Sequence, residues 1–292
     1  MRLRSIEFET PDRNAAVRFL KDTWGLFDAG ARDGTAYLRG TEDLPYVVSV
    51  AESRTPGVAA VTFCGTQEEL ERIRAGASAA GIRTGAMRAF DEPGEGSGFL
   101  LEGPEGQVFR LVAQSESVER LPPDRDRPLQ VTHVVINVRD RDACTRFLVD
   151  VLGFRLSDRT RFMNFVRCDS VHHSIAYAQS HISSLNHVAF EMPDLDAVMR
   201  GIGRLKDAGF PAVWGPGRHG PGNNVFAYFV TPFGAVVEYT SEVQRVGDDY
   251  RVGGPEDWKW PPNRVDHWGV STRDSAAMSE AEKNFRFVPL QF

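Results

Sequence analysis

Cysteine is scarce in this chain of 292 residues: there are three, Cys64, Cys144 and Cys168, dispersed and outside any CxxC spacing. Such a set excludes a disulfide scaffold and a cysteine-rich metal site, and fits buried thiols in a reducing compartment. Long apolar runs are missing too. No stretch approaches the ~18 residues of a membrane-spanning helix, and Met1–Glu7 lacks the apolar run of a secretory signal. There is no basic surplus. Thirty-four Lys and Arg against 40 Asp and Glu give a net charge of −6, which argues against a nucleic-acid or anionic-membrane partner. Together these absences lead us to expect a cytoplasmic protein. The last absence is local. The first 132 residues hold no histidine, and all seven (His133, His172, His173, His181, His187, His219 and His267) follow. Histidine is the commonest metal ligand and titrates nearest neutral pH, so chemistry is expected in one half of the chain. What is present is ordinary for a globular protein: 41% of residues are hydrophobic, enough for a core in each of about two domains.

An internal repeat organises those residues. Asp12–Gly25 and Asp140–Gly153 share Asp, Arg, Phe, Leu, Asp and Gly at a constant offset of 128. The same offset links Gly81 to Gly209, Pro104 to Pro232 and Gly106 to Gly234. Collinear matches of this kind indicate two homologous halves, joined near the proline- and charge-rich stretch 121–128. We expect an N-terminal domain over 1–120, a second over 129–244, and a tail over 245–292. Each half divides again. Strands at Val131–Val138 and Leu185–Met192 each precede an Asp and a helix-period segment (Asp142–Val151, Asp194–Ala208), closed by Gly153 and Gly209. Short β-branched and aromatic runs follow. The expected fold is therefore α+β, with a β-α-β-β-β module used four times.

Alternation along the strands then selects residues. On Val131–Val138 one face carries His133, Val135 and Asn137, and the other Val134, Ile136 and Val138. His187 and Ala189 share a face opposite Val188, Phe190 and Met192. A five-residue loop after Tyr228–Val230 would put Tyr228 directly across from Glu238. Taken singly, a half-buried strand histidine is most often a core residue and a strand glutamate is most often solvated. The repeat separates the readings, because the positions equivalent to His133, His187 and Glu238 in the first half are Ser5, Ala60 and Arg110. Packing does not predict that contrast, whereas one metal site with a degenerate partner does. Two imidazoles and one carboxylate leave three open positions, the arrangement of non-haem Fe(II) oxygen chemistry. Fe(II) in that set carries a net charge of about +1, which a singly deprotonated catechol would neutralise.

The second half resembles type I extradiol ring-cleaving dioxygenases of the vicinal oxygen chelate superfamily. The matching stretches are Thr132–Val134, His173–Ala176, Leu185–Phe190, Arg218–Asn224 and Tyr228–Glu238. The similarity extends over about residues 1–244, and the His219/Tyr228/Glu238 spacing is its most specific element. The resemblance implies that His133, His187 and Glu238 bind Fe(II), in some members Mn(II), and that His173 is the acid/base. It implies that Tyr228 and His219 hydrogen-bond substrate or oxygen intermediates, and that a catechol-type diol and O2 are the reactants. It further implies the four-module vicinal oxygen chelate fold and a homo-oligomer. Adjacent His172 and His173 should face opposite ways in a strand, leaving His172 a surface or packing role. Asn186, where some relatives have another histidine, adds no ligand, and His181 and His267 receive no role. Phe162, Phe165, Trp214 and Phe226 lie near the expected pocket. The tail, with Trp258, Trp260 and Trp268, is a candidate lid, and Arg264 a candidate contact for an anionic substituent. Two rivals remain: a glyoxalase-type metal-dependent isomerase or lyase, and a non-catalytic ligand-binding member of the superfamily.

Overall fold

The computed structural model describes residues 1–122 and 124–290. Pro123 of the expected linker, and Gln291 and Phe292 of the expected tail, lie outside the described residues. Four β-α-β-β-β modules follow one another. The first comprises β1 (Arg2–Thr10), α1 (Arg13–Arg18), β2 (Phe27–Arg32), β3 (Thr35–Arg39) and β4 (Val48–Glu52). The second comprises β5 (Gly57–Gly65), α2 (Gln67–Ala79), β6 (Arg88–Ala89), β7 (Ser97–Glu102) and β8 (Val108–Ala113). The third comprises β9 (Gln130–Val138), α3 (Arg141–Asp150), β10 (Arg155–Arg159), β11 (Met163–Arg167) and β12 (Ile175–Gln179). The fourth comprises β13 (Ser184–Glu191), α4 (Leu195–Asp207), β14 (Trp214–Arg218), β15 (Val225–Val230) and β16 (Val236–Ser241). The tail adds α5 (Ser275–Asn284) and β17 (Arg286–Phe287).

Local signals start and stop these elements. The side chains of Asp12, Asp140 and Asp194 accept hydrogen bonds from the third residue beyond each, satisfying a free N–H of the first turn. The third module's helix thus begins at Arg141, capped by Asp140, one residue before the expected Asp142. Thr66 and Glu69 form a reciprocal capping box on α2. Past α3, Gly153 takes φ +75°, and past α4, Gly209 takes φ +89°. Both values lie in the left-handed region where a Cβ would clash.

The modules pair into two curled sheets, β2-β3-β4-β1-β5-β8-β7-β6 and β10-β11-β12-β9-β13-β16-β15-β14, with β17 added beside β5. Their apolar faces share one core. Trp24 stacks on Tyr239 with ring centroids 3.7 Å apart, Phe63 meets Phe154 at 4.9 Å, and Phe109 meets Phe147 at 5.7 Å. Val134, Ile136, Val138, Val188 and Phe190 point into that core, so period two sends His133, Val135 and His187 to the opposite, concave face. The tail ties the sheets together. α5 packs on β13, β15 and β16, while β17 pairs with β5 of the other sheet. No helix among the described residues is long and apolar enough to cross a membrane.

Candidate metal centre

β9, β13 and β16 are neighbours in the second sheet, and their register sets the site. Ala189 of β13 lies level with His133 on β9 and with Glu238 on β16. Its methyl group leaves space between the two larger side chains, and His187 enters from two residues earlier on the same face. The three donor atoms lie within 4.8 Å of one another, and all three residues are buried. Glu238 Oε2 is 3.0 Å from His187 Nε2 and 3.4 Å from His133 Nε2. Yet His187 Nε2 and Glu238 Oε2 have no hydrogen-bond partner, because the nitrogen and oxygen are misaligned for a bond to each other. Buried polar atoms rarely go unpaired. Two donors each ~2.1 Å from one ion and at right angles would stand ~3 Å apart, so this donor set fits a divalent metal.

The electrostatics keep the donors in the form a metal needs. Burial pushes the Glu238 carboxyl up, but the facing His133 and His187 rings more than reverse this and hold it well below the usual carboxylate range. Burial lowers the His187 pKa against the pull of Glu238. A carboxylate and a neutral imidazole are the metal-binding forms. Asn224 Nδ2 donates to Glu238 Oε1 at 3.3 Å. His133 Nδ1 is buried without a partner.

His187 is oriented by a chain that reaches the tail. Glu282 of α5 accepts from Asn137 Nδ2 at 3.0 Å, and Asn137 Oδ1 accepts from Asn186 Nδ2 at 2.9 Å. The Asn186 oxygen therefore faces His187 Nδ1 at 2.7 Å and must accept its proton. That fixes the tautomer and turns the Nε2 lone pair toward Glu238. Asn186 thus orients His187. Asn186→Ala is expected to weaken metal affinity ~10–100-fold, read by chelator competition; an unchanged affinity would reject the orienting role.

Around the donors stand the other candidate residues. The His173 ring lies 4.2 Å from that of His133 and edge-on to Phe165 at 5.1 Å. Burial and the neighbouring imidazoles push its pKa well down, so the ring is neutral. Tyr228 pairs across the strands with Glu238, as the five-residue loop requires. Its hydroxyl is 2.7 Å from His219 Nε2. Burial, then the Glu238 charge, raises the phenol's pKa well above its usual value, and burial lowers His219 to about 4. A protonated phenol and a neutral imidazole thus share one hydrogen bond. Trp214 stacks on Tyr228 at 5.3 Å and Phe226 on His219 at 4.0 Å, while Phe162 is 63% exposed and takes no part. In the tail, Met278 and Ala281 of α5 pack with Trp214 and Tyr228, and Trp258 and Trp260 lie against Gly220 beside His219. Arg264 donates to the Trp268 carbonyl at 3.2 Å, within its own segment. His181 and His267 are exposed.

His172 departs from expectation. The pair His172–His173 lies in the bend before β12, outside the strand, so alternation does not apply and the two rings meet at 5.2 Å. His172 is fully buried, which excludes a surface role. Gly222 (φ +79°) makes room for both rings: a Cβ there would lie 3.1 Å from His173 Cε1 and 3.3 Å from His172 Nδ1.

The first sheet repeats the frame without the donors. Ser5, Thr62 and Arg110 are level across β1, β5 and β8, and Ala60 is level with Glu7. The Arg110 guanidinium lies 2.7 Å from Glu7 and 2.8 Å from Glu92, which also binds Arg4 at 2.8 Å. The first half thus fills its concave face with a side-chain cation already paired.

Residues 130–239 match the family model for the glyoxalase/bleomycin resistance protein/dioxygenase superfamily. The Mn(II)-bound glyoxalase of Novosphingobium aromaticivorans superposes with a TM-score of 0.87 at 33% identity, over 94% of this chain and 93% of that one. Metapyrocatechase 2 of Cupriavidus necator is 30% identical over 189 residues, 62% of this chain and 57% of that protein. The iron-dependent extradiol dioxygenase of Rhodococcus jostii is 25% identical over 85% of this chain and 92% of its own length. The chain thus spans little more than half of metapyrocatechase 2, while matching the glyoxalase nearly end to end. With two sheets of β-α-β-β-β modules, a donor triad in one of them and these similarities, the chain belongs to the glyoxalase/bleomycin resistance protein/dioxygenase superfamily.

Proposed function

We propose that the protein is an extradiol dioxygenase that opens the ring of a catechol-type diol beside its two hydroxyls, using O2 and Fe(II) held by His133, His187 and Glu238. The observation that carries this reading is the surroundings of the buried triad. A neutral histidine (His173) stands against one donor ring, and a protonated tyrosine stands across the strand from the carboxylate, hydrogen-bonded to a second neutral histidine. Iron bound there would supply a Lewis-acidic, one-electron-active centre that brings the diol and dioxygen together. His173 would take a diol proton and return it later as the acid. The Tyr228 hydroxyl, its orientation held by His219, would donate to developing oxygen charge. Phe165 and Trp214 offer ring faces and edges for a flat substrate. The relatives named as extradiol dioxygenases support the same chemistry.

The test is anaerobic reconstitution with Fe(II), followed by air and a panel of catechols, with oxygen uptake and visible absorbance recorded together. A yellow ring-fission product matched by oxygen uptake is the expected result. His173→Phe should keep its metal and lose turnover by ~10²–10⁴; unchanged turnover would sink that role. A metal-dependent isomerase or lyase is the second reading, favoured by the near full-length similarity to a protein named as a Mn(II)-bound glyoxalase. Metal-dependent conversion of a hemithioacetal, with no oxygen uptake on any catechol, would select it.

A further inference from the structure

Asp158, on β10, is a fully buried carboxylate with no part in the metal triad. Its Oδ1 accepts the Gly253 N–H at 2.7 Å, and its Oδ2 accepts the Tyr250 hydroxyl at 3.1 Å. The same Oδ2 is 2.7 Å from His172 Nε2, and His172 Nδ1 is 3.0 Å from His173 Nδ1. A carboxylate only accepts, so His172 Nε2 carries a proton. His172 is enclosed by the rings of Phe165, His173 and Tyr250, which hold it in line between Asp158 and His173. With one proton, held at Nε2 by Asp158, His172 offers its Nδ1 as an acceptor to the Nδ1–H of His173. The remaining nitrogen of His173, Nε2, then keeps its lone pair.

We propose that Asp158 and His172 are positioning residues for His173: the chain Asp158–His172–His173 fixes His173 as the Nδ1–H tautomer and leaves Nε2 as its basic atom. The catalytic meaning of this assignment rests on the acid/base role proposed for His173, but the hydrogen-bond chain itself does not.

Asp158→Asn tests it with little change of shape. The Gly253 N–H keeps the amide oxygen on its side, so the amide NH2 faces His172 Nε2 and requires an acceptor there. His172 then carries its proton on Nδ1, His173 Nδ1 becomes the acceptor, and the His173 proton moves to Nε2. Nitrogen-15 histidine spectra of the metal-free protein, at mildly alkaline pH, read this directly. The expected result is His173 as Nδ1–H in the parent and Nε2–H in Asp158→Asn. His172→Phe, which removes the acceptor, should leave His173 a mixture of the two and serves if Asp158→Asn does not fold. A doubly protonated His172, or a His173 tautomer indifferent to both substitutions, would overturn the proposal. In the iron-loaded enzyme Asp158→Asn should lower kcat at least ~10²-fold with little change in KM. An inverted tautomer with undiminished kcat would retain the chain and overturn the acid/base reading of His173.

Discussion

Glu238→Ala protein, loaded anaerobically with Fe(II) and then desalted, should hold almost no iron, while the parent keeps close to one ion per chain. Glu238 brings the sole negative charge of the triad, and its Oε2 is the donor that both imidazoles approach. Losing an outer partner of a ligand already costs ~10–100-fold in affinity, so losing the anionic ligand should cost more. The fold should survive. The carboxylate is fully buried, and removing a buried anion relieves a desolvation penalty, while Asn224 keeps its 2.8 Å bond to Thr240. Circular dichroism of the desalted protein checks this in the same experiment. Glu238→Gln, which keeps shape and loses charge, should bind more weakly than the parent and more tightly than the alanine variant. A folded, fully loaded alanine variant would contradict the assignment.

The second large effect lies in the other sheet. Arg110→Ala is expected to cost about 3–5 kcal/mol, because removing one partner of a buried ion network strands the opposite charge. Arg4 and Arg110 balance Glu7 and Glu92, and the side chains of Arg110 and Glu92 are only 11% and 3% exposed. Removing Arg110 leaves one buried negative charge in excess. The double substitution Arg110→Met with Glu7→Gln removes one charge of each sign and should cost less than Arg110→Ala alone. The loss should also depend on pH. The Glu7 carboxyl is already pushed up by burial and by Glu92, with Arg110 the main opposing charge. In the variant it moves further up, so the folded state binds a proton more readily than the unfolded chain. Stability of Arg110→Ala then falls as pH rises above the ordinary carboxylate range of about 4.3, and recovers as pH falls. Urea midpoints at acidic and alkaline pH decide the matter; equal losses at both would mean that Glu7 does not take up the proton.

Much of this architecture was legible without coordinates. The aspartates before the helices, the glycines after them and the 128-residue offset give four modules, because caps, turns and alternation are decided by neighbours within a few positions. Alternation places His133 and His187 on one face, and loop length sets Tyr228 across from Glu238. The sequence contrast with Ser5, Ala60 and Arg110 marks one half as different from the other. Signals of this kind are local or repeated, so one dimension is enough to carry them.

Other features needed the third dimension. Nothing in the sequence distinguishes Asp158 from the chain's other acidic residues, or joins it to His172 fourteen positions away. His172 was misplaced by alternation because a bend, and not a strand, presents it. Asn186 could be suspected from its place beside His187, but the path through Asn137 to Glu282 crosses 145 residues in one hydrogen bond. The return of β17 to the first sheet and the capture of Arg264 by the Trp268 carbonyl are likewise outcomes of packing. The sequence by itself determined the modules, the strand faces and the half that carries every histidine. Only the tertiary structure decided which nitrogen of His187 carries its proton, because a buried imidazole takes its proton position from whichever partner the rest of the fold brings within about 3 Å.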